Sequence, residues 1–163
     1  MVRSLKQTAR LAAARVDCQF RDSRHMPATT HRDFNSFGRD FLPGTLGVEI
    51  VTVRADLVES RMRVEQRLLA PNGYLHAASV VALADTSCGY GCVAALPDGA
   101  SGFTTIELKS NFVGTTRDGA ILCRATPVHR GRTTHVWDAT VTVEASAARI
   151  AQFRCTQMIL WPK

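Results

Sequence analysis

The order of patterned segments in this chain predicts an α+β fold, a curled antiparallel sheet wrapped around one long central helix. Three observations carry that expectation. From Leu75 the chain runs to Pro97 without a proline, and its only charged residue there is Asp85. Segments before and after this stretch alternate apolar and polar residues with the period of strands. Pro, Gly and Asp-Gly sequences separate the segments where turns are needed.

The first element is helical. Phe34, Phe37, Phe41 and Leu42 recur at helical spacing, and Pro43-Gly44 is expected to end them. From Gly47 the period becomes two, with Val48, Ile50 and Thr52 alternating with Glu49, Val51 and Val53. A second strand is expected over 57–67, with Ala55-Asp56 at the hairpin turn. Pro71-Asn72-Gly73 then turns the chain into the helix. Ala78, Ala82, Ala84, Ser87, Gly89 and Gly91 are small, while Val80, Val81, Leu83 and Val93 fill space. A helix apolar or small nearly all round is a buried helix. After Pro97-Asp98-Gly99, strands are expected over 103–113, 120–130, 133–144 and 149–161, with Pro127 marking an edge or a bulge. One sheet and one helix leave strand edges uncovered, so a dimer is expected.

The 163 residues suit one domain, here placed at 34–163, behind a basic extension at 1–33 that is either helical or disordered. That extension resembles a weak organelle-targeting composition but has no secretory h-region. It carries seven Lys/Arg against three Asp, whereas the rest of the chain has thirteen basic and eleven acidic side chains. The net charge of +6 is thus mostly a tail property, which argues against a nucleic-acid-binding domain. No apolar run approaches the roughly 20 residues of a membrane span, so no membrane partner is expected. The five cysteines are an odd number without paired spacing, pointing to reduced thiols and a cytoplasmic setting. Cys88 and Cys92 stand one helical turn apart with no further ligand set nearby in sequence, so no metal is expected.

The motifs carry a resemblance. Gly73-x-x-His76-Ala77-Ala78, Ala82-Leu83-Ala84-Asp85-Thr86, 105–112, His129-Arg130-Gly131-Arg132 and the closing Thr156-Gln157 resemble, in that order, the hotdog-fold acyl-CoA thioesterases of the phenylacetate-pathway type, within the 4-hydroxybenzoyl-CoA thioesterase superfamily. The resemblance spans roughly 34–161. It implies a hotdog fold and hydrolysis of an acyl-CoA to free acid and CoA, with no cofactor beyond the CoA of the substrate. It implies Asp85 as nucleophile or general base, the Ala77 backbone N–H as oxyanion donor, His76 beside it, and Thr105 as a hydroxyl that helps place water. The chain departs from the family's His-Gly-Gly at Ala77-Ala78, and has Ala70 where many relatives carry Asn or Gln. Either Asn72 replaces that amide or the polar contact is missing. The alternatives are a non-catalytic acyl-CoA-binding sensor and a hydratase of the same fold.

Independently of the family, a helix N-terminus offers unpaired N–H groups and a partial positive charge suited to a developing oxyanion. Asp85, in an apolar helix, must be paired or functional. Eight residues separate Ala77 from Asp85, about 12 Å along a helix, so the two cannot grip one carbonyl within one chain. Shared sites in a homodimer, or in a homotetramer of such dimers, are therefore expected. Arg130, Gly131 and Arg132 at a strand turn, with Lys109 and Arg117, are candidates for CoA phosphates, alongside Asn72 and Gly73 at the helix entry. Tyr90, Phe112 and Trp137 are candidates for the acyl pocket.

Overall fold

The structure, a computed structural model, describes residues 33–162. The basic extension lies outside the described residues except for Asp33. The elements are α1 (Phe34–Gly38), α2 (Leu42–Leu46), β1 (Val48–Arg54), β2 (Leu57–Arg63), a 3₁₀ turn (Gln66–Leu68), α3 (Ala77–Ala94), β3 (Gly102–Phe112), β4 (Ala120–Arg130), β5 (Thr134–Val143) and β6 (Arg149–Leu160). The six strands form one antiparallel sheet in the order β1-β2-β4-β5-β6-β3. It curls around α3, which touches every strand. This is the expected α+β architecture.

The start of the domain differs in detail. The Asp33 carboxylate caps α1 by accepting from the Asn35 and Ser36 N–H groups. Pro43 opens a second helix instead of ending the first, because a missing N–H costs nothing in a first helical turn. Gly47 closes α2 at φ 73°, a left-handed conformation that favours glycine. The Asn35 amide then donates to the Ile50 carbonyl and accepts from the Ile50 N–H, at 3.0 and 2.7 Å. That side chain stands in for a strand partner along the β1 edge.

β2 stops at Arg63, short of the expected Arg67, because its partner β4 begins at Ala120 opposite Arg63. One more bond, from the Val64 N–H to the Gly119 carbonyl, follows before the chain turns into Gln66–Leu68. Pro127 lies in an interior strand, not at an edge. The register shifts between Pro127 and His129, and β2 pairing ends at Ala125, so the absent N–H leaves no gap in a ladder.

Inward residues of the strands build the core with α3: Val58 and Met62 from β2, Ile121 from β4, Trp137 and Val141 from β5, Phe153 from β6. Close approach decides one helix position. A Cβ at Gly91 would come 2.5 Å from the Trp137 ring. The small residues of α3 are thus what lets the sheet close on it. By length and composition α3 could cross a membrane, contrary to the sequence expectation, and more than half of it is buried inside the fold. Its apolarity follows from packing on both flanks.

Candidate active site

The sequence Pro71-Asn72-Gly73 folds as a turn because Asn72 Oδ1 accepts from the Tyr74 N–H at 3.1 Å and Gly73 takes φ 81°. The turn delivers His76 to the N-cap of α3. His76 Nδ1 accepts from the Ala78 N–H at 3.0 Å, so the neutral ring carries its proton on Nε2. The Ser79 hydroxyl donates to the Leu68 carbonyl and fixes the first turn to the preceding loop. What remains is the Ala77 N–H, which makes no hydrogen bond among the described residues, on an exposed residue. The helix therefore opens on a free backbone donor with its positive dipole end outward.

Asp85 lies two turns further along the same helix, half-buried. Its Oδ1 is buried without a hydrogen-bond partner. Burial pushes its pKa above the ordinary aspartate value, and a side-chain hydrogen bond with Thr105 of β3 partly opposes that rise. Asp85 and Thr105 are thus brought together, as expected. His76 and Ala77 are not brought to Asp85 within one chain: α3 is unbroken from Ala77 to Ala94, so the 12 Å estimate along its axis stands.

At the opposite end of α3, Arg130, Gly131 and Arg132 line an open cavity of about 550 Å³ with Ala95, Asp98, His135 and Trp161. Arg132 stacks on the Trp161 ring at 4.6 Å, and the Trp161 indole N–H donates to the Arg132 carbonyl. Arg130 donates to the Ala55 carbonyl. Lys109 is elsewhere, exposed on β3 opposite Arg154. Arg117 stacks on Tyr74 beside the Asn72-Gly73 turn, 4.2 Å from the ring centroid. The basic candidates therefore fall into separate groups, with only the 130–132 set gathered around one cavity.

A second cavity of about 530 Å³ is lined by Phe34, Phe37, Val93, Leu96 and Phe103. Phe103 stands two positions before Thr105 on β3. Of the acyl-pocket candidates, Trp137 is buried in the core, Tyr90 packs on Phe34, and Phe112 is exposed on the edge strand. None of the three lines this cavity.

Two buried polar residues were not singled out by sequence reading as site residues. His135 is 1% exposed, with its Nδ1 3.4 Å from Cys92 Sγ. Burial, with the nearby positive charge of Arg130, lowers its pKa. Gln157 is fully buried, and neither its Oε1 nor its Nε2 has a partner. The signal was present as a polar residue at the inward phase of each strand. Cys88, Cys92, Cys123 and Cys155 are buried free thiols. Burial drives Cys92 up to about 12 and Cys123 up to about 11.

The chain matches the Thioesterase superfamily over residues 72–148, a span that includes His76, Ala77, Asp85, Thr105, Lys109, Arg130, Gly131 and Arg132. It is 32% identical over 115 residues to ComA2 of Bacillus subtilis, provisionally named an esterase, covering 71% of this chain and 90% of that one. It is 28% identical to a 1,4-dihydroxy-2-naphthoyl-CoA hydrolase of Listeria monocytogenes, over 71% of this chain and 92% of that protein. The crystal structure of thioesterase HI1161 from Haemophilus influenzae superposes with a TM-score of 0.76, at 26% identity, over 83% of this chain and 95% of that chain. A thioesterase family protein from Silicibacter pomeroyi superposes at 0.72, with 31% identity, over 79% and 96%.

Proposed function

Because this chain belongs to the thioesterase superfamily, has the hotdog fold and is a thioester hydrolase, we propose that its substrate is an acyl-CoA and that Asp85 is the catalytic carboxylate. The observation that carries the reading is Asp85 itself. A carboxylate held in an apolar helix, with one oxygen unbonded and its pKa raised by burial, is suited to act as a general base. In this mechanism Asp85 removes a proton from water, and the resulting hydroxide adds to the thioester carbonyl. The oxyanion so formed accepts from the Ala77 N–H of a second subunit, with His76 Nε2–H alongside. Collapse breaks the carbon–sulfur bond, and the CoA sulfur leaves with the proton from Asp85.

The helix geometry supports two shared sites in a homodimer, since Ala77 and Asp85 of one chain stand too far apart. The edge strand β3 supports the same assembly: Ile106, Leu108 and Phe112 are exposed there and Val113 just after it, beside Met158 and Leu160 of β6. Paired dimers would form a tetramer. In the proposed complex, Arg130, Gly131 and Arg132 receive the CoA phosphates, Lys109 and the Asn72-Gly73 turn being the secondary contacts. The phenylalanine-lined cavity beside β3 supports an apolar acyl group. Free buried thiols suit a reducing, cytoplasmic setting.

The test is free-thiol release from short, medium, long and aryl acyl-CoAs by the unaltered protein and by Asp85→Asn. The variant keeps shape and loses the charge, and turnover should fall about 10²- to 10⁴-fold with the fold retained. Tight acyl-CoA binding without turnover by the unaltered protein would replace this reading with that of a binding protein.

A further inference from the structure

Gln157 is a costly residue where it stands. On β6 the inward positions are Phe153, Cys155, Gln157 and Ile159, all buried. A leucine or methionine would fill the same space without two unpaired amide atoms. The neighbours give a reason for an amide. Gln157 is the cross-strand partner of Thr105 on β3 and of His135 on β5. Partners of this kind share a face with Cβ atoms roughly 5 Å apart. A hydroxyl, a carboxamide and an imidazole therefore form one polar row across three strands, facing α3. Thr105 at one end bonds Asp85, and His135 at the other contacts Cys92.

The backbone supports the same point. The β3–β6 register shifts between Thr105 and Glu107, directly after the Thr105–Gln157 pair. Bulges re-aim side chains beside sites of chemistry. The unpaired groups are also complementary: Asp85 Oδ1 and Gln157 Oε1 are acceptors, and Gln157 Nε2 is a donor. A water molecule between them would donate to both oxygens and accept from the amide, the set of partners that a buried water requires.

We infer that Gln157 is a positioning residue for hydrolysis, its amide and Thr105 together holding the water that Asp85 deprotonates. This rests on the role of Asp85 proposed above. Among the described residues, the titratable group that interacts with Asp85 is the Cys88 thiol on its own helix; Cys155 on β6 and Cys123 on β4 lie around Cys88 in turn, and His135 of β5 lies beyond Gln157.

The experiment compares the unaltered protein with Gln157→Met and Gln157→Asn by thiol release across pH and by thermal melting. Gln157→Met should melt no lower, lose roughly 10- to 100-fold in kcat with KM within about twofold, and shift the acid limb of the rate profile to higher pH. Gln157→Asn, which keeps an amide, should recover part of kcat. A Gln157→Met protein with full kcat and an unmoved acid limb would overturn the inference. Should that variant not fold, Gln157→Leu, also apolar and uncharged, decides by the same kcat and acid limb. No thiol release by the unaltered protein from any acyl-CoA would overturn the role of Asp85 and this inference together. Turnover lost in Asp85→Asn but untouched in Gln157→Met would overturn this inference alone.

Discussion

Two sets of polar groups lie on opposite flanks of α3, and they are treated differently. On one flank Ser87 donates to the Leu83 carbonyl and shares a 2.6 Å hydrogen bond with Ser60 of β2. Both residues are buried, and every hydroxyl there has a partner. On the other flank, 200° around the helix from Ser87, Asp85 keeps an unbonded oxygen and Gln157 keeps a wholly unbonded amide. The N-terminus shows the same contrast at smaller scale. The Ala78 N–H is satisfied by His76, while the Ala77 N–H beside it is left free. Satisfied polar groups in this fold hold elements together. Of the unsatisfied ones, Asp85 and Gln157 lie on the Thr105 side of the helix, whereas the Trp137 indole N–H in the core and the Ser110 hydroxyl on β3 are unsatisfied away from them.

The largest effect that could break this contrast is at Ala77. Proline at the first helical position removes the N–H without breaking the helix, and His76 already has the extended backbone that precedes proline (φ −69°, ψ 137°). Ala77→Pro should lower kcat about 10²- to 10³-fold with the melting temperature little changed. Mixing it with Asp85→Asn tests the shared site. A hybrid dimer has one site with both defects and one with neither, so subunit exchange should restore up to about a quarter of the unaltered activity. No restoration on confirmed exchange would place both groups in one chain.

A smaller effect is expected at Thr105. Its hydrogen bond holds the Asp85 pKa down against burial, so Thr105→Val should raise that pKa further. The carboxylate is the active form, so activity is present above the pKa and lost as pH falls through it. The acid limb of kcat/KM should lie above the ordinary aspartate range in the unaltered protein and higher still in the variant. An unmoved limb would separate Thr105 from the chemistry.

The smallest effect on turnover belongs to the satisfied flank. Ser87→Ala leaves Ser60 without its 2.6 Å partner and should cost about 1–3 kcal/mol in denaturant unfolding, with kcat unchanged. A large loss of kcat at unchanged stability would erase the distinction between the two flanks.

How legible all this was in the sequence depended on the range of the forces involved. Residues 120–130 announced β4 by alternation and flanking Gly119, and the structure places the strand at Ala120–Arg130. Pro43 was misread because the same ring ends one helix or begins the next, and the difference lies in where Asp33 caps. Lys109 and Arg130 look equivalent as basic residues on strands, yet only Arg130 reaches the cavity with Arg132, because sheet order puts β3 at the edge.

By itself the sequence determined the strand periods, the buried character of α3, and Asp85 as the one charge that such a helix must account for. Those follow from local patterning and from the cost of burying a carboxylate. Tertiary structure alone decided that Gln157 lies between Thr105 and His135, since strands distant in sequence meet only through sheet pairing. It also decided which polar groups are satisfied, because a hydrogen bond between residues such as Ser60 and Ser87 exists only once the sheet has closed on the helix.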